Sequence, residues 1–322
     1  MTEETTQEAA PQQPAEQPRP KRRSRRRWLV WGLIVLALVV LGVGGMIGYR
    51  TLTARGEADS KLAEATKLVE NADQVVLDTD EVVRSEIDAA SGGLASQLAT
   101  DAPGAAADLD RAVMLIDEAL PDLAEENQPR ARALRASASA RMEMLELALP
   151  ILKATVKAAG AVGPAAETWT LIVDAEKLSD DAVAQYNKLN KNAVENAKKL
   201  SKQAQDKLGA AKAQLKIVQA ALPEADMQPY IDYVDSKLAS IALSVKADDT
   251  YLAGKTAEAN SYSDKFNEAE KKLAERAKRL PGPPSDVVAT TYDSMAGEAT
   301  DKYFDARDKA AEADADLKAL TD

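Results

Sequence analysis

Between Val194 and Leu222 the apolar and small residues advance by threes and fours without a fault. They are Val194, Ala197, Ser201, Ala204, Leu208, Ala211, Leu215, Val218 and Leu222. A strand would alternate every second residue, whereas this spacing draws one stripe along one face of an α-helix. A stripe of that length must be buried against other helices, as in a coiled-coil seam. Asn190 continues the series and is expected to fix register if buried.

Residues 57–90 carry the same signal. Leu62, Val69, Val76 and Val83 recur every seven, Leu68, Val75 and Val82 lie beside them, and Ala65 and Ala72 border the stripe. No segment shows convincing strand alternation, so the expected fold is all-α.

Gly and Pro punctuate the helical text. Ser91-Gly92-Gly93 is expected to end the first helix, with a loop running to Pro103-Gly104. A second helix covers about 105–126, with Pro121 kinking or ending it. A third starts near Pro129, passes Pro150 and closes at Gly160 and Gly163-Pro164. Residues 165–222 read as one long helix or two nearly collinear ones. Further helices are expected over 229–253 and 255–280, separated by Gly254. After Pro281-Gly282-Pro283-Pro284 a last helix fills 285–320.

The chain also repeats itself. Leu68-Val69-Glu70-Asn71-Ala72-Asp73 resembles Leu171-Ile172-Val173-Asp174-Ala175-Glu176. Ala119-Leu120-Pro121 recurs as Ala221-Leu222-Pro223, and Gln128-Pro129 as Gln228-Pro229. The order is kept at offsets near 100, which predicts two tandem repeats of about 100 residues packed as an elongated antiparallel bundle. The expected organisation is repeat 1 over 50–163, repeat 2 over 164–280 and a C-terminal helix over 281–322.

The N-terminal part differs in kind. Residues 1–20 are rich in Gln, Glu, Thr and Pro and lack the apolar surface to offset ordering, so a disordered tail is expected. Within the tail 1–27, Lys21, Arg22, Arg23, Arg25, Arg26 and Arg27 form a basic block. Residues 28–49 then carry no charge and would reach roughly 33 Å as a helix, enough for a bilayer core of about 30 Å. Trp28, Trp31 and Tyr49 sit near its ends, where amphipathic rings favour the headgroup region. The run exceeds a signal-peptide core, and the basic block precedes it. An uncleaved transmembrane helix is therefore expected, with the N-terminus in the cytoplasm and residues 50–322 outside the cell membrane. Gly44 and Gly48 form a GxxxG, a candidate contact with another membrane helix.

Composition narrows the function. The chain has no Cys and no His, which removes disulfides, Cys/His metal sites, catalytic thiols and His-based triads. Carboxylates remain as acids and bases. Yet Asp180 with Asp181, and Asp248 with Asp249, are helix neighbours pointing about 100° apart. Asp248 falls on an apolar face, where an unpaired carboxylate is costly. No cofactor, metal site or catalytic residue is expected. Residues 50–322 hold 34 basic and 48 acidic residues, and that acidity disfavours nucleic acid. The absence of glycosylation sequons and of Cys points to a bacterial cell envelope.

None of the 13 aromatics lies between residues 50 and 168. Eight crowd into the distal end: Tyr230, Tyr233, Tyr251, Tyr262, Phe266, Tyr292, Tyr303 and Phe304. They are candidates for a partner-binding surface, weighed against packing in the core. The expected function is a non-catalytic, membrane-anchored extracytoplasmic scaffold. Its partners would be the lipid bilayer and another envelope or membrane protein, with self-association allowed but not required. The alternative is an extracytoplasmic ligand-binding or sensory module acting through a membrane partner.

Overall fold

A computed structural model describes residues 52–320. Among them are seven helices and no strand: α1 (Leu52–Val83), α2 (Ala89–Ala119), α3 (Gln128–Tyr186), α4 (Lys191–Ala221), α5 (Gln228–Leu252), α6 (Thr256–Ala277) and α7 (Pro284–Ala319). The all-α expectation holds. No helix among the described residues is long and apolar enough to cross a membrane. The expected tail and span, with Lys21, Arg22, Arg23, Arg25, Arg26, Arg27, Trp28, Trp31, Tyr49, Gly44 and Gly48, lie outside the described residues.

The backbone of the architecture is α3. Its 59 residues extend about 88 Å as one continuous helix. The expected stop at Gly160 and Gly163-Pro164 does not occur. Pro at 129 starts the helix, where a missing N–H costs nothing, while Pro150 and Pro164 lie inside it. Pro150 is exposed and Pro164 half-buried. The stretch from Ala158 to Gly163 serves instead as a narrow waist. Gly92 of α2 sits against Ala159, and Gly160 faces the Ala221 methyl at the end of α4, where an added Cβ would come within 3.2 Å.

Two other breaks fall elsewhere than expected. The first helix ends at Val83, and α2 begins at Ala89 and runs straight through Gly92, Gly93 and Pro103. A capping box sets that start. The Asp88 carboxylate accepts from the Ser91 N–H at 2.7 Å, and the Ser91 hydroxyl accepts from the Asp88 N–H at 2.8 Å. The Ser91 backbone and side chain hold the Asp88 carboxyl below its ordinary value. Pro103 is tolerated because it lies on the exposed side of α2.

Residues 165–222 are not collinear but form a hairpin. α3 ends at Tyr186, the chain turns at residues 187–190, and α4 returns antiparallel, with Lys207 on Asp174 at 2.9 Å and Gln214 on Glu167 at 2.8 Å. Asn190 is exposed and caps α4 by accepting from the Ala193 N–H at 3.0 Å. It is a stop signal, not a buried register residue. The stripe that follows behaves as expected, since every residue from Val194 to Leu222 named above is buried.

The interior divides into two apolar clusters along α3. The first joins α1, α2, the N-terminal half of α3 and α7. The second joins the C-terminal half of α3 with α4 and α5, and takes in Leu273 of α6. In α1 the best-buried positions are Ala65, Ala72 and Thr79, with Leu62 and Val83 only half-buried, so the close approach runs along small residues. α7 crosses back from the second group to the first. It packs antiparallel on α3, with Asp314 beside Ser137 at 2.6 Å and Tyr292 beside Thr155 at 3.4 Å. α6 packs antiparallel on α5, with Lys237 on Glu270 at 2.7 Å.

Helix ends recur along the chain. Val83 and Tyr186, the ends of α1 and α3, are 103 apart, and the starts of α2 and α4 are 102 apart. The ends of α2 and α4 are also 102 apart, and the starts of α3 and α5 are 100 apart.

Candidate functional site

The eight distal aromatics do not form one surface. Tyr230, Tyr233, Phe266 and Tyr303 are buried, Tyr251, Tyr262 and Tyr292 are half-buried, and Phe304 is 37% exposed. Large rings at helix–helix joints remove the most apolar area, and these four occupy such joints. They also separate between the two clusters. Tyr230, Tyr233, Tyr251, Tyr262 and Phe266 belong to α5 and α6, whereas Tyr292, Tyr303 and Phe304 ride on α7 into the first group. The aromatic-free character of residues 50–168 therefore ends in the packed group once α7 folds back.

Polar groups accompany the buried rings. The Tyr230 hydroxyl donates to the Gly282 carbonyl at 2.8 Å, pinning the loop between α6 and α7. Burial, then the Asp286 charge, push its phenol up to about 12. The Tyr233 hydroxyl donates to Glu176. Burial and then that carboxylate raise the Tyr233 phenol well above its ordinary value. One turn on, Lys237 is 5% exposed and reaches Glu270, which also accepts from Ser240 at 2.6 Å. Such a pair is costly to desolvate and more costly to break.

At the far end of this group, Tyr186 and Tyr251 meet edge-on with centroids 6.0 Å apart. The Tyr251 hydroxyl donates to the Leu189 carbonyl at 2.5 Å. Leu189 is held at φ 49°, unusual for a branched residue. Tyr262 lies under two ammonium groups, Lys265 at 5.3 Å and Lys246 at 5.8 Å from the ring centroid.

Asp248 stands apart. It is 0% exposed, and neither carboxylate oxygen has a hydrogen-bond partner. Burial, reinforced by Asp249, pushes its carboxyl up to about 7, against the weaker opposing pull of Lys198. Lys198 pairs with Asp249 instead, at 2.5 Å.

The first group uses different chemistry. Arg141 lies between Asp73 and Asp314, with Asp314 at 2.8 Å. Burial is the largest influence on Asp73 and leaves its carboxyl raised even beside that guanidinium. The Tyr303 hydroxyl donates to Asp80 at 3.2 Å, and Arg307 donates to the same oxygen at 2.8 Å. Burial and then Asp80 raise the Tyr303 phenol. Phe304 meets Tyr303 edge-on at 5.7 Å.

Sequence reasoning singled out Asp248 and the rings but missed the ring partners Glu176 and Asp80, and the ion pairs of Lys237 with Glu270 and of Arg141 with Asp73 and Asp314. One signal was present, since Asp73 and Glu176 close the two matching hexapeptides. The rest depend on α6 and α7 choosing their neighbours. Two open grooves mark the surface. One runs between α2 and α3 over Ala102, Pro103, Ala106, Met142 and Leu149. The other runs between α5 and α6 over Ala239, Leu243 and Ala269, with Lys271, Lys272 and Arg276 at its rim. Comparison with protein-family models, with curated proteins and with solved structures returned no match.

Proposed function

We propose that the chain is a single-pass, N-in membrane protein whose residues 50–322 form a non-catalytic extracytoplasmic scaffold. The observation that carries this reading is α3, one continuous helix shared by two packed groups. A helix running through both groups resists bending at their joint, which suits a stiff spacer that holds a binding partner at a set distance from a bilayer. The recurring helix ends support two tandem units of about 100 residues. The fully buried stripe of α4 supports coiled-coil-type packing within one chain, so self-association is not needed to satisfy it. The uncharged run 28–49 behind its basic block supports the membrane anchor.

The chain has no native Cys, so topology can be read from single introduced ones. Glu8→Cys and Glu195→Cys are labelled in intact cells with a membrane-impermeant maleimide. Labelling of position 195 alone is expected. Labelling of both, or of position 8 alone, overturns the orientation. Photo-crosslinking from exposed positions in native membranes then tests the scaffold itself. A discrete envelope-protein adduct is expected, and its absence from every position would count against the reading.

A further inference from the structure

Asp248 is the only fully buried acidic side chain among the described residues. The fold does not force it there. Ala148, 100 residues earlier and on the corresponding stretch of α3, is just as buried. Pairing of Lys198 with Asp249 and of Lys212 with Asp235 places Asp248 at the level of Ala197 and Ser201 on α4. Pairing of Lys237 with Glu270, and of Lys246 with Tyr262, places Ala259 opposite it on α6. α6 is the least embedded helix, with only Ala259, Phe266 and Leu273 buried. It is attached chiefly through α5, and the carboxylate lies at that seam.

We propose that Asp248 is a proton-operated latch: neutral, it lets α6 close on α5, and ionised, it opens that seam to water. No cation pairs with it directly. Lys198 of α4 is taken by Asp249, which adds repulsion from the same helix as Asp248. On α6, Glu258 pairs with Lys255, and Tyr262 lies under Lys246 and Lys265. From α3, Tyr186 reaches this end of the group, meeting Tyr251 edge-on and accepting from Ser263 at 3.3 Å. A buried charge without a partner is expensive, and opening relieves it by hydration.

The sign follows from linkage. The closed seam keeps the proton well above the ordinary carboxylate range, while the open seam releases it at the ordinary value. Closure is therefore complete at low pH and weakens as pH rises toward the folded value, beyond which it stays constant. Within that window the opening constant grows about tenfold per pH unit. The proposal is independent of membrane topology.

Amide hydrogen exchange on the full chain in detergent micelles, corrected for intrinsic rates, tests it between about pH 5 and about pH 8. Peptides covering residues 240–277 are expected to lose protection about tenfold per pH unit up to about pH 7 and then level off, while α2 stays flat. Asp248→Asn is expected to abolish the slope. Asp248→Ala, which copies position 148, is expected to keep the seam protected at every pH and serves if the Asn variant folds poorly. A flat wild-type profile, a slope surviving in either variant, or an equal slope in α2 overturns the latch.

Discussion

The two packed groups along α3 share a plan and differ in how they fill it. The first is built on alanine and aliphatic contacts, with one fully buried ring, Tyr303, delivered by α7. Its charged groups answer one another, Arg141 with Asp73 and Asp314, and Arg307 with Asp80, while the buried Thr79 hydroxyl has no partner. The second buries Tyr230 and Tyr233 together with the Lys237–Glu270 pair, and leaves Asp248 with no partner. In both, a carboxylate of a later helix meets its neighbour at matching positions 100 residues apart, Asp314 on Ser137 and Glu270 on Lys237. One helical scaffold thus tolerates both an interior whose charges are paired and one holding an uncompensated charge. Stability and pH response should therefore diverge between the two.

The largest expected break is Tyr303→Ala. Emptying the only fully buried ring of the first group should cost about 3–5 kcal/mol. It should release α7 before the second group unfolds, as urea titration followed by segment-resolved hydrogen exchange will show. Next is Ala148→Asp, which imposes the second group's unanswered carboxylate on the first. It should cost about 2–4 kcal/mol at neutral pH. The loss should shrink on acidification, since the folded state would then hold the proton more tightly than the unfolded one. A pH-independent loss would mean that steric crowding dominates.

Smaller effects probe the waist. Gly92→Ala would drive a methyl into Ala159 and should cost about 1–3 kcal/mol. Gly93→Ala meets nothing and should gain up to about 1 kcal/mol from helix propensity. Thermal melts of the two neighbours should move in opposite directions. Smallest is Tyr230→Phe, which removes only the hydrogen bond to Gly282 and should cost about 1 kcal/mol. Proteolysis in the 278–283 loop should report it first.

Periodicity made the helices and the seam of α4 legible, because burial of one stripe leaves a spacing that survives without any partner. The ends of α5, α6 and α7 were legible for the same reason, bracketed by Pro229, Gly254 and Pro281-Gly282-Pro283. Gly92 and Gly160 misled because a glycine at a close helix approach looks like a breaker in one dimension, and Pro164 because a proline inside a helix reads the same way. The turn at 187–190 escaped because Asn190 reads equally as a seam residue and as a cap. Of the candidate site, the unusual position of Asp248 was visible on its apolar face. The fate of Tyr292, Tyr303 and Phe304 was not, because nothing local says that α7 turns back to the first group.

α3 runs unbroken through the waist and joins the two groups in one continuous element. Since the chain has no native Cys, spin labels can be placed at Glu146→Cys and Asp180→Cys, both exposed positions of α3 on either side of Pro150 and Pro164. Pulsed dipolar spectroscopy should return a single narrow distance near about 51 Å, the rise of a continuous helix. A broad distribution, or a main peak well short of that distance, would mean that the helix bends or breaks at Gly160–Pro164 and would contradict the account.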